Sequence, residues 1–290
     1  MQTSRKKPLL YFLLGTFLLT YGSGLFIYLS GGLVKHPLFS SLIMLIPALV
    51  AIIIMMTTET WSGFTNFTKS LGFRLGKKRY LFIYPLITFV MIVFTYLITY
   101  LMFPNVFIPQ EKLPDVLATL NLEFGVMSTW GQVLLIFLLN NVIGSITGLP
   151  LLLGEEIGWR AFLYPRLEKL YQTSALLIGG IIWGFWHAPM ILMGHNYPGT
   201  PFLGVFMMVL FCIPMGVIFY YFYKKSGSII TVALCHGVLN QTASTIHVIF
   251  IDDFAIQPTI HGATGVIGLV IFWIIALLIY RLMSPTLVHN

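Results

Sequence analysis

Residues 80–103 read YLFIYPLITFVMIVFTYLITYLMF, without one charged side chain. A helix needs about 20 mostly apolar residues to cross the hydrocarbon layer of a bilayer, so this stretch is long enough alone. Lys77-Lys78-Arg79 precede it and Pro104-Asn105 follow it, which marks both ends. The same pattern of an apolar run closed by charge or turn residues recurs along the chain. It predicts further spans at Leu9–Leu29, Leu38–Thr57, Gln132–Leu153, Ala175–Met193, Phe202–Tyr223, Ser228–Ile251 and Gly262–Met283. Gly144, Gly148 and Pro150 interrupt the Gln132–Leu153 run. The fold class that follows is all-α, a polytopic membrane protein of about eight transmembrane helices.

Composition agrees. Of 290 residues, 58% are hydrophobic and 9% charged, with a mean hydropathy of +0.90. Soluble domains run at roughly 45–50% apolar and 25% charged. A disordered chain, a nucleic-acid binder and an ordinary soluble enzyme are excluded. Cys212 and Cys235 both lie inside apolar runs and read as packing residues rather than a disulfide framework.

The placement of charge orients the chain. Arg5, Lys6, Lys7, Lys69, Arg74, Lys77, Lys78, Arg79, Arg160, Arg166, Lys169, Lys224, Lys225 and Arg281 all fall on the side of the N-terminus. The other side holds only Lys35 and Lys112, with Glu111, Asp115, Glu123, Asp252 and Asp253. Basic loops stay in the cytoplasm, so both termini are expected there, in the cell membrane. The Glu59–Arg79 loop adds attraction to anionic lipid. The run after Arg5-Lys6-Lys7 is too long for a signal-peptide core and no small-x-small site follows, so it is read as a retained first span. No repeat is evident. The organisation expected is motif-free helices over 1–130, a core over 131–250 and a last helix over 251–290.

Ionisable groups inside a membrane are costly and usually functional. They cluster in the second half. In Leu151-Leu152-Leu153-Gly154-Glu155-Glu156-Ile157-Gly158-Trp159-Arg160, Glu156 and Arg160 are four apart on a helix and can pair. Glu155 is turned about 100° away and lacks that partner, as suits a desolvated carboxylate that transfers protons. The structural alternative is a solvated ion pair at a span end. His187 lies deep in its span among Trp183, Phe185 and Trp186, where hydrogen-bonded packing competes with function. His236 and Asn240 again share a face, beside Gly237, and could simply pair helices. Depth links the three segments. At 1.5 Å per residue, Glu155, His187 and His236 lie roughly 12–20 Å inside, so three helices can bring them to one level.

Glu155-Glu156-x-x-x-Arg160, Trp183-x-x-x-His187 and His236-x-x-x-Asn240 resemble, in order and spacing, the three signature motifs of the CPBP intramembrane proteases. That family is also called the Abi or CaaX-protease family, and its eukaryotic members cleave prenylated CaaX proteins. Gly154–Leu167 is similar to the bacterial branch, and the resemblance covers about Leu149 to Gln241. Trp183 stands where the second motif more often has Phe, both being aromatic packing residues. The resemblance implies an intramembrane endopeptidase acting on a membrane-embedded or membrane-tethered peptide. Glu155 and His187 would hold and deprotonate a water, His236 and Asn240 would donate to the oxyanion, and Glu156 with Arg160 would fix the segment.

That mechanism requires no cofactor. Glu155, His187 and His236 are nevertheless a legitimate zinc set, although His-Glu-x-x-His and its reverse are absent. Gly-x-Ser-Gly and Gly-x-Gly-Asp, the marks of two other intramembrane protease classes, are absent too. Two other functions compete: a non-catalytic membrane protein of bacteriocin immunity or surface display, and a proton-coupled carrier using the same buried groups.

Overall fold

The computed structural model describes residues 2–58, 64–121 and 127–288. Among them the elements are helices, with a lone β-bridge between Phe107 and Ile251. The order is α1 (Gln2–Leu29), α2 (Pro37–Leu42), α3 (Ile46–Thr58), α4 (Phe64–Ser70), α5 (Tyr80–Met102) and α6 (Leu113–Thr119). Then come α7 (Thr129–Leu139), a π-helical turn (Asn140–Gly144), α8 (Ser145–Thr147), α9 (Leu149–Glu156), a second π-helical turn (Ile157–Leu163) and α10 (Tyr164–Tyr171). The chain closes with α11 (Ser174–Trp186), α12 (Ala188–Leu192), α13 (Pro201–Ser226), α14 (Ile229–Phe250) and α15 (Val266–Val288). Glu59–Gly63, which open the basic loop, and the outer-loop Glu123 lie outside the described residues.

Among the described residues, seven stretches are long and apolar enough to cross a membrane: Lys6–Leu29, Pro37–Thr58, Tyr80–Met102, Thr129–Thr147, Pro201–Ser226, Ile229–Phe250 and Val266–Met283. The protein is an all-α polytopic membrane protein. Leucines such as Leu18, Leu25, Leu86 and Leu101 are exposed on its outside, as a surface solvated by lipid tails requires.

One expected span is corrected. Ala175–Met193 is not one helix, because α11 stops at Trp186 after 13 residues and α12 is a separate short helix. Pro189 is the cause: it lacks an N–H and disfavours helical geometry just before it. Beyond α12, Tyr197 donates from its hydroxyl to the Thr264 carbonyl at 2.8 Å, which ties the segment to the loop before α15. The interruptions expected at Gly144, Gly148 and Pro150 are present: a π-helical turn ends at Gly144, and Gly148 separates α8 from α9, with Pro150 in the first turn of α9.

The two ends of the bundle differ in charge. At one end Arg74 donates to the Gly227 carbonyl at 2.6 Å, Lys77 N–H to Ser226 O at 3.1 Å, and Lys224 pairs with Glu168 at 3.1 Å. At the other, Ile108 N–H donates to Phe250 O at 2.8 Å and Asp252 N–H to Val106 O at 2.9 Å. The loops that carry Arg74, Lys77 and Lys224 thus meet at one end.

The interior is centred on α13, which buries Met208, Phe211, Cys212, Met215, Ile218, Phe219 and Tyr220. Gly180 and Gly184 of α11 seat directly on it. A Cβ at Gly184 would lie 2.5 Å from the Val209 Cα.

Candidate active site

The segment with both glutamates is fixed by close backbone contact. A Cβ at Gly154 would lie 2.4 Å from the Met44 carbonyl oxygen, and one at Gly158 would lie 2.3 Å from Pro47 Cβ. These two glycines, four apart, let α9 and the turn after it rest on the α2–α3 region, the small-residue packing typical of membrane helices. Glu155 and Glu156 end α9, and the π-helical turn begins at Ile157. Such turns insert a residue and re-aim side chains, often at functional sites.

Glu156 and Arg160 are both fully buried and pair at 3.0 Å, as the sequence spacing predicts. The structure adds a third member. His236 Nδ1 stands 2.8 Å from the same Glu156 Oε1. A carboxylate oxygen accepts, so Nδ1 carries a proton and Nε2 is the nitrogen left for other work. Arg160 lies over the Trp183 ring with its guanidinium carbon 3.9 Å from the centroid, and 5.2 Å from that of Phe219. These π faces supplement the ion pair. Arg160 Nε and Nη2, Glu156 Oε2 and the Tyr164 hydroxyl have no partner among the described residues.

Glu155 is 3% exposed and points to α11, not to Arg160. Its Oε2 accepts a hydrogen bond from the Trp183 indole N–H at 2.9 Å. His187 follows from how α11 ends. Its backbone N–H donates to Gly184 O at 3.2 Å instead of to Trp183 O. The Trp183 carbonyl, freed by that tightening, accepts from His187 Nδ1 at 2.9 Å. A helix end leaves such carbonyls to be satisfied, and here a side chain does it. The bond fixes the tautomer, so His187 Nε2 carries the lone pair. Cys212 Sγ is 3.8 Å from His187 Nδ1 and is fully buried, a packing neighbour of the ring.

Trp183 is therefore the hub. Its N–H holds Glu155, its ring carries Arg160, its carbonyl orients His187, and the rings of His187 and His236 lie 5.7 and 5.8 Å from its own. The sequence marks it only as an aromatic packing residue. Its legible signal is the indole N–H, which needs a partner when buried. Glu155, Glu156, Arg160, His187 and His236 are brought together as expected, with Glu155 and His187 joined through Trp183 rather than by a direct hydrogen bond. Asn240 lies one turn beyond His236, exposed and without a side-chain hydrogen bond among the described residues.

Among the described residues no three His, Cys, Asp or Glu side chains converge as a ligand group. Glu155 Oε2 is taken up by Trp183, and His236 Nδ1 by Glu156.

Two carboxylates, a guanidinium and two imidazoles around one buried indole define a polytopic membrane protein with a polar centre inside its helix bundle. Residues 125–242, which contain all of these groups, match the model of a family described as type II CAAX prenyl endopeptidase Rce1-like. CAAX prenyl protease 2 of Methanococcus maripaludis is 32% identical over 95 residues, which cover 30% of this chain and 34% of that protein. The match thus spans about a third of that relative's length. The likeness to that family is confined to this core, residues 125–242.

Proposed function

We propose that the protein is an intramembrane endopeptidase that hydrolyses a peptide bond of a membrane-associated protein or peptide. The observation that carries the reading is the Trp183-centred cluster, which presents a carboxylate and an imidazole lone pair from facing helices within the family-matching segment. A water held between Glu155 and His187 Nε2 loses a proton to one of them as its oxygen attacks the scissile carbonyl. The carbonyl oxygen becomes an oxyanion, to which Asn240 Nδ2 and His236 Nε2 donate. Collapse breaks the C–N bond, and the proton taken from water passes to the leaving amine. Preorganised donors in a water-poor site are usually the largest contribution to such a reaction.

The Glu156 contact adds a condition. His236 already donates from Nδ1, so it donates from Nε2 only when both nitrogens are protonated. A prenyl group on the substrate is no part of the reading.

The test is purified protein in lipid with a quenched library of membrane peptides. Cleavage is expected; cation-dependent flux without cleavage would select the carrier instead. Strong chelation is expected to leave turnover within about twofold, because no step is routed through a metal. Loss of turnover restored by zinc would reverse this and make Glu155, His187 and His236 the ligands.

Trp183→Phe keeps a ring under Arg160 but deletes the donor to Glu155. Turnover is expected to fall roughly tenfold or more, since a hydrogen bond to a charged group contributes about 1.5–3 kcal/mol. Unchanged turnover with unchanged thermal stability would leave Trp183 a packing residue.

The chain is proposed to lie in the cell membrane with both termini in the cytoplasm, on the strength of its Lys/Arg bias. Reporter fusions after Arg79, Lys169 and Lys225 should report cytoplasm, and fusions near Glu111 or Asp253 the outside. An external signal at Lys169 would contradict this orientation.

A further inference from the structure

We infer that a polar seam along α14, lined by Asn140, Ser145, Asn240 and Gln241, binds the main chain of an extended stretch of the substrate next to the scissile bond. The inference rests on the endopeptidase reading and adds how the peptide is held.

The seam follows from how α14 meets the helix that leads to the glutamates. A Cβ at Gly237 would lie 2.8 Å from Ser145 Cβ, and one at Gly144 would lie 2.8 Å from the Gln241 carboxamide carbon. Beyond them Thr242 donates to Asn141 Oδ1 at 2.7 Å, and Asn140 Nδ2 donates to Thr245 Oγ1 at 3.2 Å. The two chains thus run antiparallel, and polar side chains line their contact from His236 to Thr245. That distance is about 13 Å along a helix, which matches about four residues of extended peptide.

The polar groups here are unequally satisfied. Asn141 is occupied on both sides, since its Nδ2 also donates to Phe137 O at 3.0 Å. Ser145 Oγ is buried, with its residue 2% exposed, and has no partner among the described residues. Asn140 Oδ1 and the carboxamides of Asn240 and Gln241 have no hydrogen-bond partner among the described residues, and Asn140 and Asn240 are exposed. Asn240 and Gln241 are near the middle of the Ile229–Phe250 span. Lipid tails cannot satisfy a carboxamide at that depth, and leaving it unpaired is costly.

The chemistry of these groups selects the occupant. A carboxamide both donates and accepts, as a peptide group does, and an extended chain presents free N–H and C=O groups in alternation. A helical substrate has those groups internally bonded and offers nothing to the seam. The bound stretch is therefore unwound, and recognition acts on its main chain rather than on its side chains.

The test uses the full chain in lipid nanodiscs and dye-labelled apolar peptides of about 20 residues with a Gly/Ser-rich centre. Analogues carry an ester in place of one central amide, which deletes a single N–H. Binding and cleavage are both read, for wild type and for Gln241→Leu, a change of similar volume that a membrane interior tolerates. At one ester position the substitution and the ester should each weaken binding roughly three- to tenfold. Together they should cost little more than either alone, the mark of a shared contact. Wild-type binding by Gln241→Leu, losses that multiply at every ester position, or no peptide bound at all would each overturn the seam. Shared loss of binding without cleavage would uphold the seam and remove the endopeptidase; cleavage without the shared loss would do the reverse.

Discussion

Glu155→Gln is expected to lower peptide cleavage by roughly 10²–10⁴, the usual contribution of a positioned general base, while the bundle stays folded. The amide oxygen of glutamine can still accept the Trp183 N–H that Glu155 now accepts at 2.9 Å. An amide is also less costly to bury than a carboxylate. Loss of activity at unchanged thermal stability in detergent separates a chemical role from a structural one. Normal cleavage by this variant would remove Glu155 from the reaction and return the role to Glu156.

The fold was legible because hydropathy reports whether a segment is apolar. Tyr80–Phe103 as read and Tyr80–Met102 as observed differ by one residue. Hydropathy does not register where an apolar helix ends or changes pitch. Ala175–Met193 is apolar on both sides of Pro189, so the stop of α11 at Trp186 left no trace in it. The π-helical turns at Asn140–Gly144 and Ile157–Leu163 were hidden for the same reason. Glycine and proline near the first mark the break at Gly148 between α8 and α9, but not the change of pitch before it.

At the site, contacts within one helix were readable and contacts between helices were not. Glu156 with Arg160 follows from a spacing of four. That His236 shares the same carboxylate oxygen depends on α14 packing beside α9, which no spacing encodes. The seam carboxamides escaped for another reason. Asn140 and Gln241 carry no charge, so a search for ionisable groups in the spans passes over them.

Glu156→Gln should be the most destabilising single change at the centre. Glu156 Oε1 accepts from both Arg160 and His236, at 3.0 and 2.8 Å, and glutamate and arginine are wholly buried. Removing the carboxylate charge leaves a guanidinium without its counter-ion where water cannot screen it, a loss of about 3–5 kcal/mol in comparable buried pairs. The Trp183 and Phe219 faces under Arg160 reduce that figure without cancelling it, since a desolvated cation–π contact contributes about 2 kcal/mol. Adding Arg160→Met removes the stranded charge and leaves an apolar chain against the same rings. Thermal stability in detergent should therefore recover in the double variant. Cleavage should not, because His236 Nδ1 then lacks the carboxylate oxygen that orients its ring. A Glu156→Gln protein as stable as wild type would show that the pair contributes nothing to the fold. A stable double variant with full turnover would show that His236 acts without Glu156.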